Sequence, residues 1–370
     1  MSASRPAERR VAIFGIDDLA RRNRAQLEAM NARGYAFDVF TNDVLGDSRE
    51  NLPPGNGLET LHPGASGRAR QLVSYLAAHR DRLNHVEVYP GGRFAGVYVA
   101  VARLFRVPVM VVERGDLLYR ERYGPLTRAA MALAYRGADV VWYRELYQGR
   151  ILAEMGIRRR FFLSNAVPLP EAVHPPEART IDFLWVNRLI VERRADWVAD
   201  VLARPAFAET RNVIQGFLDG VLASEEMRAR QEYVRARALV NLEIGTYGDP
   251  GRLFRAARFF LLPSEIVFCN NALLEAMAHG VVPLVSDVEG ARRIVTDGVD
   301  GFVHPHTPDG LTAAMERALS LPPEEHARMS RAAVATVTAR FSMERWAEKL
   351  AEQYRRLGSG EPPPAGTEPE

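Results

Sequence analysis

Between Ser264 and Gly280 the sequence reads SEIVFCNNALLEAMAHG, in which two asparagines open a short apolar helix that carries one acid, Glu275. Asn270 and Asn271 both suit an N-cap, because a short side-chain carbonyl accepts from the N–H groups of the first turn. The other N–H groups at such an end lack partners within the helix and suit an anion such as phosphate. Cys269, Asn270, Asn271, Ala272 and Leu273 thus form one candidate binding segment. Glu275 lies about one turn further in, where a carboxylate can accept from two neighbouring hydroxyls, such as those of a ribose. Its plainer role is to complement the positive end of the helix dipole, worth roughly 0.3–1 kcal/mol.

A second group lies in FLWVNRLIVERRADW. Arg188 follows an apolar strand, and Arg193 and Arg194 open the next helix. Two cations at a strand's carboxyl end can clamp a diphosphate. The alternative is a surface pair in which Glu192 answers Arg188, worth ~0–1 kcal/mol. Glu265, in the loop before the asparagines, and Gly245 and Thr246, at the end of the strand in ALVNLEIGT, are further candidates in this half. In the first half Gly15 ends the strand in RVAIFGI, and Glu113, Arg114 and Asp116 follow the strand in PVMVVERGD. These residues can meet a second substrate, or an Arg–Glu or Arg–Asp pair can simply brace the loop. The aspartates of IDD diverge as neighbours and read as a helix cap rather than a metal pair. His304 and His306 flank Pro305 with no third ligand nearby and read as loop residues, so no metal is expected.

Strands and helices must hold these groups. RVAIFGI, YAFDVFT, HVEVYPG, PVMVVERGD and ADVVWYRE are apolar runs, several ending in glycine or polar residues, with helical segments between, as in a parallel sheet covered on both faces. A proline-rich run from Pro168 to Pro176 interrupts this pattern, after which strands and helices resume. The expected organisation is a tail over residues 1–10, an α/β domain over 11–168, a linker over 169–180, a second α/β domain over 181–340, a closing helix over 341–358 that packs back on the first domain, and a Pro- and Glu-rich tail over 359–370. Two doubly wound domains leave a cleft at the carboxyl ends of their strands, where open α/β sheets bind ligands.

Composition narrows the partners. The chain has 370 residues, enough for two domains, and a formal net charge of +2 that gives no case for nucleic acid. Lys349 is the only lysine, and the other basic residues are arginines, which aim two donors at a phosphate better than lysine does. The single cysteine excludes an intramolecular disulfide. No apolar run reaches the ~18 residues a membrane span needs, and the first ten residues lack a signal-peptide core, so a cytoplasmic protein is expected. ARRNR and IRRRFF set arginines beside apolar residues, which admits peripheral contact with the inner membrane against the plainer reading of a solvated helix face.

From Ala138 to Leu357 the sequence resembles the retaining GT-B glycosyltransferases of family four. ALLEAMAHGVVPLVSDVEG resembles the family's donor-site signature, IVTDGVDGFVHPHTPDGLTAAMERAL the segment after it, FSMERWAEKLAEQY its closing helix, and RFFLSNAVP the segment before its linker. The resemblance implies two Rossmann-like domains facing across a cleft, the first binding an acceptor and the second a nucleotide-sugar. It puts Arg188 and Arg193 on the diphosphate, Glu275 on the ribose, and Gly15, Glu113, Arg114 and Asp116 on the acceptor side. It implies transfer with retention, without a metal, to a glycan, lipid-linked or small-molecule hydroxyl. One departure stands out: the acid that contacts the transferred sugar in the family falls on Val267, and Glu265 is the nearest replacement. The loop's glycines become Phe268 and Asn270, and the family's lysine becomes Arg193. The rival readings are a GT-B epimerase, which the donor signature argues against, and a degenerate relative that binds nucleotide or glycan without turnover.

Overall fold

The computed structural model describes residues 9–42, 46, 48–218, 223–267 and 270–361. It divides into two compact units, one made of residues up to Ser164 and from Met343 onward, the other of Asn165–Ser342. The chain passes between units before the proline-rich run, so the segment read as a linker lies within the second unit. Inside that unit Val167 N–H donates to the Phe341 carbonyl at 3.0 Å, holding the two ends of the unit side by side.

The first unit is built in chain order from β1 (Arg9–Ile16), α1 (Arg21–Asn31), β2 (Tyr35–Thr41), β3 (Gly57–Thr60), α2 (Ala65–His79), β4 (Leu83–Val88), α3 (Ala95–Leu104), β5 (Val109–Val112), α4 (Pro125–Gly137), β6 (Val140–Tyr143), α5 (Leu146–Glu154) and β7 (Arg160–Phe162). The strands pair in parallel in the order β3-β2-β1-β4-β5-β6-β7. Central strands such as VVWY of β6 are buried on both faces, which is why they read as unbroken apolar runs. The order reverses direction between β1 and β4, and Gly15, next to last in β1, has φ +84° there, beside the Tyr89 carbonyl and the Tyr98 ring.

The second unit contains β8 (Ile181–Val186), α6 (Ala195–Leu202), β9 (Asn212–Phe217), α7 (Glu225–Ala236), β10 (Leu242–Thr246), α8 (Gly251–Ala256), β11 (Ala257–Leu262), α9 (Asn271–Ala278), β12 (Val282–Ser286), β13 (Phe302–His304), α10 (Pro308–Leu319) and α11 (Pro323–Arg340). Its six strands are parallel in the order β10-β9-β8-β11-β12-β13. The order reverses between β8 and β11.

The closing helix α12 (Met343–Ser359) belongs to the first unit. Its buried residues Trp346, Leu350, Tyr354 and Leu357 recur at helical spacing on one stripe. Tyr354 meets His85 and Tyr35 at ring distances of 4.4 and 5.0 Å and donates to the Glu87 carboxylate. Trp346 lies 5.7 Å from Trp142.

Two local readings need correction. The IDD aspartates do not cap α1: Ala20 holds the N-cap position, Asn23 Oδ1 accepts from its N–H at 3.0 Å, and Asp17 instead accepts from Asn42. His304 is not a loop residue but the last residue of β13, buried with Nδ1 against the Pro305 carbonyl.

Candidate functional site

In the second unit the predicted donor residues converge on the carboxyl edge of the sheet, at the reversal between β8 and β11. Open parallel sheets bind ligands at such a switch point. Arg188 leaves β8 exposed, and its guanidinium makes no hydrogen bond or ion pair among the described residues, so the surface pair with Glu192 does not form. Arg193 lies in the short turn after it. Its guanidinium donates to the Ile266 carbonyl at 2.7 Å and to Ser264 Oγ at 3.3 Å, tying the β8 turn to the loop after β11. That loop is further held by Glu265 N–H donating to the Glu192 carbonyl at 2.9 Å.

Asn270 is the N-cap of α9: its Oδ1 accepts from Leu273 N–H at 3.0 Å, and its Nδ2 donates to Asn187 Oδ1 at 2.9 Å. This removes Leu273 from the list of ligand-binding groups, since its N–H is taken by the cap and its side chain is fully buried. The N–H groups of Asn271 and Ala272 donate to nothing among the described residues. Glu275 is half-buried on the first turns of the helix, and its carbonyl accepts from His279. Cys269 lies outside the described residues. Gly245 and Thr246 end β10, two strands from β8, at the same edge of the sheet.

Glu265 is engaged. Its carboxylate pairs with Arg194, whose guanidinium also lies 4.8 Å over the Trp197 ring. Arg194 holds the left-handed conformation at φ 51° and ψ 43°, a costly backbone state for a residue with a side chain. His306 completes this cluster, 4.8 Å from Trp197 with Nδ1 3.0 Å from Ser286 Oγ, and burial holds its pKa below the usual imidazole range. Val267 packs into the core. The position on which the family resemblance puts the sugar-facing acid is thus a core valine, and the nearest replacement, Glu265, is held by Arg194.

Sequence reading missed Asn187, Trp197 and Gly216, named Arg194 only as opening the helix, and took His306 for a loop residue. A signal existed for Gly216, because an isolated glycine in a strand marks a bulge or close approach. Gly216 has φ +143°, and a Cβ there would lie 1.8 Å from the Asn187 carbonyl oxygen. The register of β9 against β10 slips at the same point.

At the carboxyl edge of the first unit's sheet, Glu113 is fully buried. Oε1 accepts from Gly115 N–H at 2.7 Å, Leu117 N–H at 3.2 Å and Gln148 Nε2 at 3.2 Å, and Oε2 accepts from Tyr135. Burial pushes its pKa up to about 7, with Asp116 adding to the rise. Glu113 thus braces the β5 loop through amides, glutamine and tyrosine rather than through arginine. Asp116 accepts from Tyr123 at 3.0 Å, and burial raises its pKa too. Arg114 lies 5.3 Å over the Tyr89 ring, and its carbonyl accepts from Arg144 at 2.6 Å. Burial and the neighbouring Arg114 lower the pKa of Arg144 to about 10. Gly15, Tyr89, Arg114 and Asp116 therefore share one edge of this sheet, with Arg144 added to the predicted set. Among the described residues no three His, Cys, Asp or Glu side chains gather so as to hold a metal ion, and no helix is long and apolar enough to cross a membrane.

Comparison with known proteins agrees with this architecture. Residues 180–320 match the family model of glycosyl transferases group 1. Glycogen synthase of Photobacterium profundum is 26% identical over 198 residues, covering 50% of this chain and 38% of that protein. Granule-bound starch synthase 1 of Pisum sativum is 24% identical over 210 residues, covering 53% of this chain and 31% of that protein. The chain thus spans well under half the length of these curated relatives. Among solved structures, sucrose-phosphate synthase of Thermosynechococcus elongatus superposes with a TM-score of 0.75 at 16% identity, over 95% of this chain and 100% of that one. HepE of Anabaena, solved in complex with UDP and glucose, gives 0.74 at 15% identity, over 94% and 99%. The chain has the GT-B fold, and residues 180–320 of its second unit match the glycosyl transferases group 1 family.

Proposed function

We propose that this protein transfers a sugar from a nucleoside diphosphate sugar to an acceptor hydroxyl, with retention of anomeric configuration, in the synthesis of a glycan, glycolipid or glycosylated metabolite. The observation that carries this reading is the convergence of exposed Arg188, Arg193 and the free amides of Asn271 and Ala272 at the switch point of a group 1 domain. Such a site suits a departing diphosphate: fixed donors meet the charge that develops on the leaving oxygen. Neither a metal nor a protein nucleophile is needed for that work. Glu275 is assigned the ribose, and the edge formed by Gly15, Arg114 and Asp116 the acceptor. That HepE of Anabaena is solved with UDP and glucose, and also with UDP-glucose, supports a nucleotide-sugar donor.

Val267 in the core and Glu265 on Arg194 leave the sugar without its usual carboxylate. That observation gives the second reading, a protein that binds nucleotide without turnover. Isothermal titration with nucleoside diphosphates and their sugars, followed by product analysis over a broad acceptor panel, separates the two. Binding with glycoside formation supports transfer; binding without product over the whole panel supports the second reading.

A further inference from the structure

Helices α3 and α4 lie side by side on one face of the first sheet. Glycines bring them close: a Cβ on Gly96 would sit 3.6 Å from Leu133 Cβ, and one on Gly137 would sit 2.7 Å from Val99 Cγ1. Their inner stripes are buried, through Tyr98, Val99 and Ala102 on α3 and Met131, Ala134 and Tyr135 on α4. The outer stripes are apolar too. Leu126, Ala129 and Leu133 recur at helical spacing on α4, as do Val97, Ala100 and Leu104 on α3. Leu126 is 82% exposed, Leu104 74% and Leu133 65%, although side chains of this kind are ordinarily covered.

Charge on this face has one sign. Neither helix contains an aspartate or glutamate. Arg93 and Arg106 flank α3, Arg122 precedes α4 and Arg136 lies in its last turn, all exposed and without an acidic partner among the described residues. The nearby acids Glu121 and Asp139 are already paired, with Arg120 and Arg128 and with Arg103. A symmetric contact with a second copy would set arginine against arginine, since an isologous interface brings the same patch together. An apolar stripe rimmed by arginine instead matches the boundary of a bilayer, with leucines below the headgroups and guanidinium groups among anionic phosphates.

We propose that the α3–α4 face is a docking surface for an anionic lipid bilayer. The two segments in which the sequence sets arginine beside apolar residues do not form it: Phe161 is buried in β7, and Arg24 pairs with Glu28 on α1. The proposal concerns a surface, and it stands whether or not the donor site turns over.

The test is flotation of the full chain with vesicles of phosphatidylcholine alone or mixed with phosphatidylglycerol, at low and high salt. The expected result is binding to the anionic vesicles only, weakened by salt. The pair Leu126→Asp and Leu133→Asp, and separately the pair Arg93→Glu and Arg136→Glu, should each weaken binding by about tenfold or more. Both double variants should melt at the wild-type temperature, because the positions are at the surface. Absence of binding to anionic vesicles, equal binding to neutral ones, or binding that both double variants retain would overturn the proposal. So would a dimer, seen by sedimentation, that the leucine variants dissolve.

Discussion

Glu113→Gln is the sharpest perturbation of the first unit, because the burial of Glu113 and its neighbour Asp116 fix the sign of the effect. In the fold the carboxyl group titrates near pH 7, against 4.5 for its ordinary value. Between those values the unfolded chain has lost the proton that the folded protein keeps. Stability from this group is therefore full below about pH 4.5, declines as pH rises, and levels off above about pH 7. A shift of this size corresponds to about 3 kcal/mol. Glutamine copies the protonated form. Its carbonyl can take the Oε1 place and accept from Gly115, Leu117 and Gln148, while its NH2 donates to the Tyr135 oxygen in the Oε2 place. Urea denaturation at pH 5 and pH 8 should show the two proteins close in stability at the lower pH and the variant ahead at the higher. Asp116 titrates in the same direction and interacts with Glu113, so removing the Glu113 charge also relieves Asp116 at the higher pH and adds to the lead of the variant. If wild type and variant change equally between the two pH values, Glu113 is not the group held protonated.

Three further outcomes follow from the second unit. Gly216→Ala places a methyl group against the Asn187 carbonyl and strains a φ of +143°, so it should cost about 1–3 kcal/mol in urea denaturation and disturb the Asn270 cap behind Asn187. Glu265→Gln should lower stability by about 1 kcal/mol through its loss to Arg194, while leaving the affinity for free nucleoside diphosphate at wild type in calorimetry. Glu275→Gln should weaken that same affinity by about tenfold to a hundredfold, and a 2′-deoxy analogue should lose less in the variant than in wild type; an unfolded variant with unchanged affinity would return Glu275 to the helix dipole.

The parallel sheets were legible because strands buried on both faces are written as apolar runs: β9 and β12 are buried along their whole length. The α9 cap was legible because asparagine does its work two or three residues away. Long-range pairings were not. Arg194 and Glu265 are 71 residues apart and meet only because β8 and β11 are neighbours, so no local pattern announces them. β3 gave no signal, since GLET is partly exposed at the sheet edge, and β13 is only three residues long. Glu113 looked like a cleft residue because it follows a strand; its partners come from its own loop, α4 and α5, and together they bury it. The exposure of Leu126 and Leu133 was hidden for the converse reason, since α4 is apolar on both its inner and outer faces.

The central claim is that Arg188 and the start of α9 hold the diphosphate of a sugar donor. Calorimetric titration of a nucleoside diphosphate and of its parent nucleoside, into wild type and Arg188→Ala, tests it most directly. Arg188 is exposed and unpaired, so its removal should leave the melting temperature unchanged. The diphosphate should bind wild type far more tightly than the nucleoside, and Arg188→Ala should narrow that gap by about tenfold to a hundredfold, the worth of one charged hydrogen bond. A gap of the same size in both proteins, or no preference for the diphosphate at all, would contradict the account.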